Sequence, residues 1–383
     1  MQTTIAAPRA ASHARVGLQT ALLIAYTACA VVMRLGAVWD VQWHTVVGRD
    51  SFWIPPHDMI YGAVALCGLL AAAAVLRAGW PARGASQAWP WGMFIGGLGV
   101  TTMLAAAPFD DLWHRLYGID VTIWSPPHML GVAGAWGIAL GALLMWAARW
   151  SAAANTPAAR RSLVGFAVSG ALLVSHTNFG LIPAVRWSFT QPHTPFLYPL
   201  LASLVLPAVM VAAVRLSGRW WAPLAVLLAV VALRLVEQAV LEVGYRYVVT
   251  GWGERLRGEP GPIYRNYNLG VALAAVLCAG SSLAAYVLNR TSVLRGWRAG
   301  ALLGAAAGLS LWLGTALVHA TWHTAYNGGN ISIWREEAGA IVGAFGGAAP
   351  LTVLATAIAF GAVSGLVAGS GERMKDEASA EHL

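Results

Sequence analysis

Two short segments of the sequence carry the same carboxylate and imidazole side chains in the same order. Residues 39–57 read WDVQWHTVVGRDSFWIPPH, and residues 109–128 read FDDLWHRLYGIDVTIWSPPH. With one insertion, both contain Asp, Trp, His, Gly, Asp, Trp, Pro, Pro and His in that order. A repeat of this kind indicates a duplicated structural unit, so the polar residues shared by both copies are the first candidates for chemistry.

The spacing in the first copy predicts three converging metal ligands. Asp40 and His44 are four residues apart, which places them on one face of a helix. Pro55 and Pro56 are suited to begin a second helix after a short return loop, and His57 then lies at its N-terminal end. One carboxylate and two imidazoles form a facial set of ligands that leaves coordination positions open. We therefore predict a metal site at Asp40, His44 and His57.

The second copy predicts an equivalent set of ligands. Asp110, His114 and His128 repeat the same side chains at nearly the same spacing. Asp50 and Asp120 occupy equivalent positions between the histidines of each copy. We expect these two carboxylates to orient the ligating imidazoles from outside the coordination sphere.

Two further segments resemble the repeat less closely. Residues 319–337 contain His319 and His323, with a histidine in place of the carboxylate, and we predict both as metal ligands. Residues 176–193 begin and end on histidines, for which a hydrogen-bonded structural role is the favoured interpretation.

For each of the two stronger sets, the alternative to a metal site is a polar cap that joins two helices. Ionisable groups at membrane depth are costly and therefore favour a functional role.

The composition is that of an integral membrane protein. Of 383 residues, 58% are hydrophobic and 10% are charged, and the mean hydropathy is +0.62; these values exclude a soluble globular domain. We predict an all-α fold of about ten transmembrane helices, built from repeated two-helix units. Each unit would bring its polar cluster to the same membrane face. The predicted spans, each an apolar run of about 20 residues, are 17–38, 58–76, 91–108, 128–148, 163–182, 196–214, 220–244, 267–288, 299–322 and 338–368.

The charges predict the orientation of the chain in the membrane. Basic residues concentrate in alternate connections, for example Arg77, Arg83, Arg160 and Arg161, and such connections face the cytoplasm. We expect cytoplasmic tails at residues 1–16 and 369–383, a transmembrane domain at 17–368, and repeat loops outside the cell membrane. The net charge of +8 then reports orientation, and no nucleic-acid partner is expected.

The first copy of the repeat resembles a known family. It is similar to the C subunit of the copper membrane monooxygenases, the particulate methane and ammonia monooxygenases, whose intramembrane copper site has an Asp-x3-His-x12-His pattern. Asp40, His44 and His57 have that spacing, and Trp43 precedes the first histidine as it does in the family. The resemblance covers residues 39–57 and, more loosely, the second copy.

Two details near the ligands bear on this resemblance. The dipeptide at residues 49–50 matches an Arg-Asp pair in the family, whereas Pro56 directly precedes His57 and the family has Pro-Ser-His. The family's subunit has fewer spans and works beside two partner subunits. The resemblance implies copper at the first ligand set, dioxygen as co-substrate, and hydroxylation of a small or apolar substrate that arrives from the lipid bilayer.

Several alternatives stay open from the residues themselves. Two histidines and one carboxylate equally describe non-haem iron. The same clusters fit a metal-ion transporter or another metal-handling protein, and facing histidines fit haem or quinone binding in electron transfer. A missing Met-rich ligand track argues against transport, and the carboxylate in each favoured site argues against haem. An electron donor and an oligomeric state are left undecided.

Overall fold

The part of the chain that its computed structural model describes is predominantly helical. That part comprises residues 6–48, 51–78, 88–118, 123–152, 157–184, 187, 197–252, 261–290, 297–326, 355–356 and 359. Its main elements are α1 (Ala6–Val46), α2 (Pro55–Ala78), α3 (Ala88–Tyr117), α4 (Pro126–Ala152), α5 (Pro157–Gly180), α6 (Leu197–Ala202), α7 (Leu206–Ser217), α8 (Ala222–Tyr247), a π-helix (Val248–Trp252), α9 (Gly261–Arg290) and α10 (Trp297–Tyr326).

Within the described residues, seven helices are long and apolar enough to cross a membrane. They are Gly17–Val46, Pro55–Leu76, Trp89–Tyr117, Pro126–Trp150, Arg161–Gly180, Ala222–Tyr247 and Asn268–Asn289. Leu197–Ser203 and Leu206–Arg215, bent by 42°, form an eighth span if they are counted together. The prediction of a polytopic all-helical membrane protein is therefore confirmed.

The prediction of ten spans is matched only in part. The predicted run 196–214 falls on the bent pair α6 and α7, where Pro207 stands in the first turn of α7 and cannot continue a regular helix from the preceding residues. The run 299–322 lies within α10, and the run 338–368 lies almost entirely outside the described residues. The backbone of α1 is helical from Ala6 onward, so this helix also includes most of the predicted tail.

The chain divides into two compact units. Unit 1 consists of Met1–Val121, Ser125–Leu172 and Ala239–Pro260. Unit 2 consists of Thr122–Trp124, Leu173–Gln238 and Gly261–Leu383. The ligands of both stronger sets belong to unit 1.

Buried hydrogen bonds join α1 to α4 in unit 1. The indole Nε1 of Trp146 donates to Oγ1 of Thr27 at 2.9 Å, and the hydroxyl of Tyr26 donates to the carbonyl of Ile138 at 3.5 Å. Buried polar groups without partners are costly, so these bonds favour one alignment of α1 on α4.

Helices α3 and α4 approach each other closely through glycines. A Cβ atom at Gly99 would lie 2.5 Å from the backbone nitrogen of Ile138 and 2.6 Å from the carbonyl oxygen of Gly134. A Cβ atom at Gly141 would lie 2.6 Å from the carbonyl oxygen of Gly92. Small residues permit this backbone contact between membrane helices, and the contact sets the distance between the ends of α3 and α4.

The last turns of α8 pack against the end of α1 in unit 1. Gln42 donates from Nε2 to the carbonyl of Leu241 at 3.0 Å, and a Cβ atom at Gly244 would overlap the indole of Trp39. The π-helix that follows α8 contributes Val248 to a buried cluster with three residues around the end of α1: Trp43, Val47 and Ile54. The end of α1 is therefore fixed by packing as well as by its own hydrogen bonds.

Unit 2 contains its own part-buried polar contacts. Arg234 on α8 donates from Nε to Oδ1 of Asn268 on α9 at 3.0 Å, and the Tyr198 hydroxyl donates to Oδ1 of Asn178 at 2.8 Å. Hydrogen bonds of this kind join membrane helices that have no hydrophobic driving force between them.

We predict that Gly99→Ala destabilises unit 1, because the new methyl group meets backbone atoms of α4 that cannot move aside. Overpacking of this kind costs about 1–3 kcal/mol, to be measured by denaturant unfolding in detergent micelles. Gly97→Ala is the matched control, because a Cβ at Gly97 meets no atom within 4 Å while helix propensity rises equally. Equal stability of the two variants would contradict the close packing of α3 on α4.

Candidate metal centre

The structure brings Asp40, His44 and His57 together at the facing ends of α1 and α2. Asp40 Oδ1 lies 3.4 Å from His44 Nε2 and 3.1 Å from His57 Nε2. Asp40 and His44 are on the last turns of α1, whereas His57 is the third residue of α2, which begins at Pro55 as the sequence predicts. One ligand atom from each of the three side chains lies within 4.8 Å of the others.

The hydrogen bond on the far side of the His57 ring decides whether the nitrogen that faces the carboxylate carries a hydrogen. His57 Nδ1 lies 3.1 Å from the carbonyl oxygen of Ser51. A carbonyl oxygen only accepts, so Nδ1 carries a hydrogen and donates it. In the neutral ring, Nε2 is then an acceptor, and it is this atom that faces Asp40. Backbone carbonyls orient metal-ligating histidines in the same way.

Asp110, His114 and His128 repeat this arrangement at the facing ends of α3 and α4. Asp110 Oδ2 lies 3.4 Å from His114 Nε2, and Asp110 Oδ1 lies 3.4 Å from His128 Nε2. His114 Nδ1 donates to the carbonyl of Gly118 at 2.9 Å, which again leaves Nε2 towards the carboxylate. His128 is the third residue of α4, which begins at Pro126. The two copies of the sequence repeat therefore have the same local structure.

The two ligand sets are neighbours. The ring centroids of His44 and His114 are 6.3 Å apart, with an angle of 35° between the ring planes. This contact lies within unit 1, and it joins a histidine of the first set to a histidine of the second. Each aspartate contacts the two histidines of its own set. The two candidate sites are therefore adjacent, each with its own carboxylate.

The contacts around Asp40 fit a bound cation. Within the described residues, Asp40 Oδ1 is buried and receives no hydrogen bond of acceptable geometry, although two imidazole nitrogens lie within 3.4 Å. His57 Nε2, an acceptor in the neutral ring, and the carboxylate oxygen of Asp40 repel one another at 3.1 Å unless a cation lies between them. Separations of 3.1–3.4 Å are those of ligands about 2 Å from a common ion. The alternative cation is a proton on the imidazoles, which would make the set an ion-paired cap.

A glycine ends the first helix of each copy. Gly48 follows α1 with φ 72°, and Gly118 follows α3 with φ 83°. Glycine adopts this left-handed conformation without the steric cost that other residues pay, and it is common directly after a helix. The glycine shared by both repeats therefore stops the helix just after the ligating histidine. Its presence in both copies was the signal for this role.

Several predicted site residues lie outside the described part of the chain. Asp50 and Asp120 are among them, so their predicted role in orienting imidazoles stays a prediction. His319 and His323 are on the backbone of α10, but their side chains lie outside the description, and the metal site predicted there is likewise untested. His176, for which a structural role was favoured, is buried in unit 2.

Sequence reasoning missed an aromatic neighbour of the first set. Tyr61 follows His57 by one helical turn, and their ring centroids are 5.6 Å apart. The spacing of four residues in α2 was the available signal, because residues at i and i+4 are neighbours on a helix.

Comparisons with protein-family models, with curated proteins and with solved structures find no match for this chain.

Proposed function

We propose that this protein is a membrane-embedded metal-dependent oxygenase that hydroxylates a small or apolar substrate with dioxygen, with copper as the favoured metal and non-haem iron as the alternative. The observation that carries the proposal is the convergence of Asp40 Oδ1 with His44 Nε2 and His57 Nε2 in a buried position. Three ligands on one side leave coordination positions for a reactant. The resemblance of residues 39–57 to the copper membrane monooxygenases supports copper.

The side chains of the two sets have separable roles in this proposal. A copper or iron ion bound there supplies the one-electron chemistry that activates dioxygen. Asp40 and Asp110 balance the positive charge, and the histidines present Nε2 in a fixed direction because carbonyls hold Nδ1 of His57 and His114. Each set holds one ion, and the two sets meet at the rings of His44 and His114.

The surface beside the second set suits a substrate that arrives from the lipid. On the last turns of α3, Leu112, Leu116 and Tyr117 expose large apolar side chains, whereas Asp110 and His114 are largely buried on the same helix. An apolar compound dissolved in the bilayer can therefore approach the ligands without crossing water. Exclusion of water also strengthens the electrostatic interactions within the site.

We further propose that the chain lies in the inner membrane with ten spans built from repeated two-helix units. Both termini face the cytoplasm, and the loops that carry the metal ligands face the opposite side, because basic residues concentrate in alternate connections. The local likeness of α1–α2 to α3–α4 supports the repeated units. In this orientation, the ligand-bearing ends of the pairs α1–α2 and α3–α4 lie on the extracytoplasmic side.

We predict that Asp40→Ala abolishes copper-dependent oxygenation. Purified protein in lipid vesicles is loaded with copper and given a chemical reductant, isotopically labelled dioxygen and a panel of short-chain hydrocarbons. Labelled alcohol is measured together with bound metal. Loss of Asp40 removes a ligand and leaves two imidazoles without their counter-charge, so metal affinity falls by more than the roughly 10–100-fold that loss of an outer-shell partner costs.

Neighbouring aspartates provide matched controls for both sets. Asp58 is exposed on α2, and Asp111 pairs with the exposed Arg115 at 2.8 Å, a contact that contributes little to stability. Asp58→Ala and Asp111→Ala should keep metal and turnover, whereas Asp40→Ala and Asp110→Ala each lose one ion. If Asp40→Ala oxygenates normally while vesicles of that variant take up less metal, the protein is a transporter and the oxygenase proposal is wrong.

We predict that a membrane-impermeant thiol reagent labels Ser51→Cys but not Ala85→Cys in intact cells. The first position lies in the loop between α1 and α2 and is exposed, and the second lies in the next connection, which contains Arg83. The native cysteines are buried, so they contribute little background. Labelling of Ala85→Cys instead would invert the proposed orientation.

A further inference from the structure

Three aromatic side chains form a continuous group next to the first ligand set. The Tyr61 ring lies 5.6 Å from the His57 ring and 5.0 Å from the Phe52 ring. Trp53 lies 4.7 Å from Phe52 and 6.4 Å from Tyr61. All of these values are distances between ring centroids, and all four residues belong to unit 1. The rings therefore connect a proposed metal ligand to the end of the loop between α1 and α2.

The exposure of these rings changes steadily along the group. Trp53 is 70% exposed, Tyr61 and Phe52 are half-buried, and His57 is buried. Tryptophan and tyrosine are the side chains that lose one electron most readily after cysteine. One oxidisable ring lies against the ligand, and the other lies at the surface, where a reductant can reach it.

Packing alone does not account for this order of residues. Trp53 on its own is suited to anchor the protein at the membrane interface, and aromatic pairs at these distances stabilise by about 0.5–1.5 kcal/mol. Tyr61, however, stands one turn after His57 on α2 and is half-buried between the ligand and the exposed indole. The phenol at that position places an oxidisable group between the ligand and the exposed indole.

We propose that Trp53 and Tyr61 form an electron-transfer path between the surface and the metal site at His57. This inference rests on the proposed function, because an oxidised metal centre is the electron acceptor. Hydroxylation of a substrate by dioxygen consumes two electrons and two protons beyond those of the substrate, and the product is an alcohol and water. A one-electron donor outside the protein, such as a small soluble reductant, supplies the electrons at Trp53.

Each transfer along the path balances charge and protons. Tyr61 gives one electron through His57 to the oxidised centre and releases its phenol proton to the membrane surface, so the ring becomes a neutral radical. Trp53 then gives one electron to that radical, which regains a proton. The external reductant finally reduces the oxidised indole. When no reductant is present, the one-electron-oxidised indole of Trp53 combines with dioxygen, or loses a second electron to the centre and adds water, and either reaction leaves a stable oxygenated tryptophan.

The experiment uses the full-length protein loaded with copper and exposed to hydrogen peroxide without substrate or reductant. Bound copper is measured first, and peptide mass spectrometry then measures oxidation at each tryptophan. Trp91 is the internal control, because it is 56% exposed and packs edge-on against Phe94 at 6.0 Å at the opposite end of α3 from Asp110. We expect oxidation at Trp53 to exceed that at Trp91.

The variant Tyr61→Phe tests the path without removing the ring that packs against His57. We expect its copper content to match wild type, its oxidation at Trp53 to fall to the level of Trp91, and oxidation of His57 to rise. A tyrosyl radical signal trapped by rapid freezing should disappear in this variant. Equal oxidation of Trp53 and Trp91 in wild type, or an undiminished excess at Trp53 in Tyr61→Phe, would overturn the path while leaving the metal site intact. Failure of wild type to bind either copper or iron would overturn both proposals.

Discussion

The first ligand set depends on two acceptor atoms, Asp40 Oδ1 and His57 Nε2, that meet 3.1 Å apart in a largely buried position. Asp40 Oδ1 lies within 3.4 Å of Nε2 of His44 and His57, and the carbonyl of Ser51 holds the hydrogen of His57 on the far side of the ring. Such atoms repel one another in a low-dielectric region unless a cation lies among them. A metal ion bound there, as we propose, would resolve this repulsion and tie α1 to α2, so that metal binding and local stability would be linked.

The remaining packing serves to keep these atoms in place. Gly48 stops α1 directly after the ligating turn, and the last turns of α8 fix that end of α1 through Gln42 and Trp39. In the second pair, close contact at Gly99 sets how far Asp110 stands from the first turn of α4. Ligand distances therefore depend on helix-to-helix spacing, which membrane proteins control with small residues.

The sequence predicted what local spacing controls. The spacing of four positions from Asp40 to His44 determines their common face, and paired prolines determine where α2 and α4 begin. The closeness of His44 to His114 could not be predicted in this way, because it depends on how one helix pair packs on another. The same limit applies to the packing of α8 on α1, whose residues are about 200 positions apart. Hydropathy located α6 and α7 as a single apolar run, whereas the break between them lies next to Pro207, whose effect on the backbone a hydropathy average does not record.

The most direct test of the metal centre is anomalous X-ray diffraction at the copper edge from crystals of the copper-loaded protein. We predict an anomalous peak about 2 Å from Asp40 Oδ1, His44 Nε2 and His57 Nε2. We predict a second peak at the same distance from the carboxylate of Asp110 and from Nε2 of His114 and His128. Crystals with full copper content and no peak at either position would contradict the account. The two sets would then be protonated ion-paired caps.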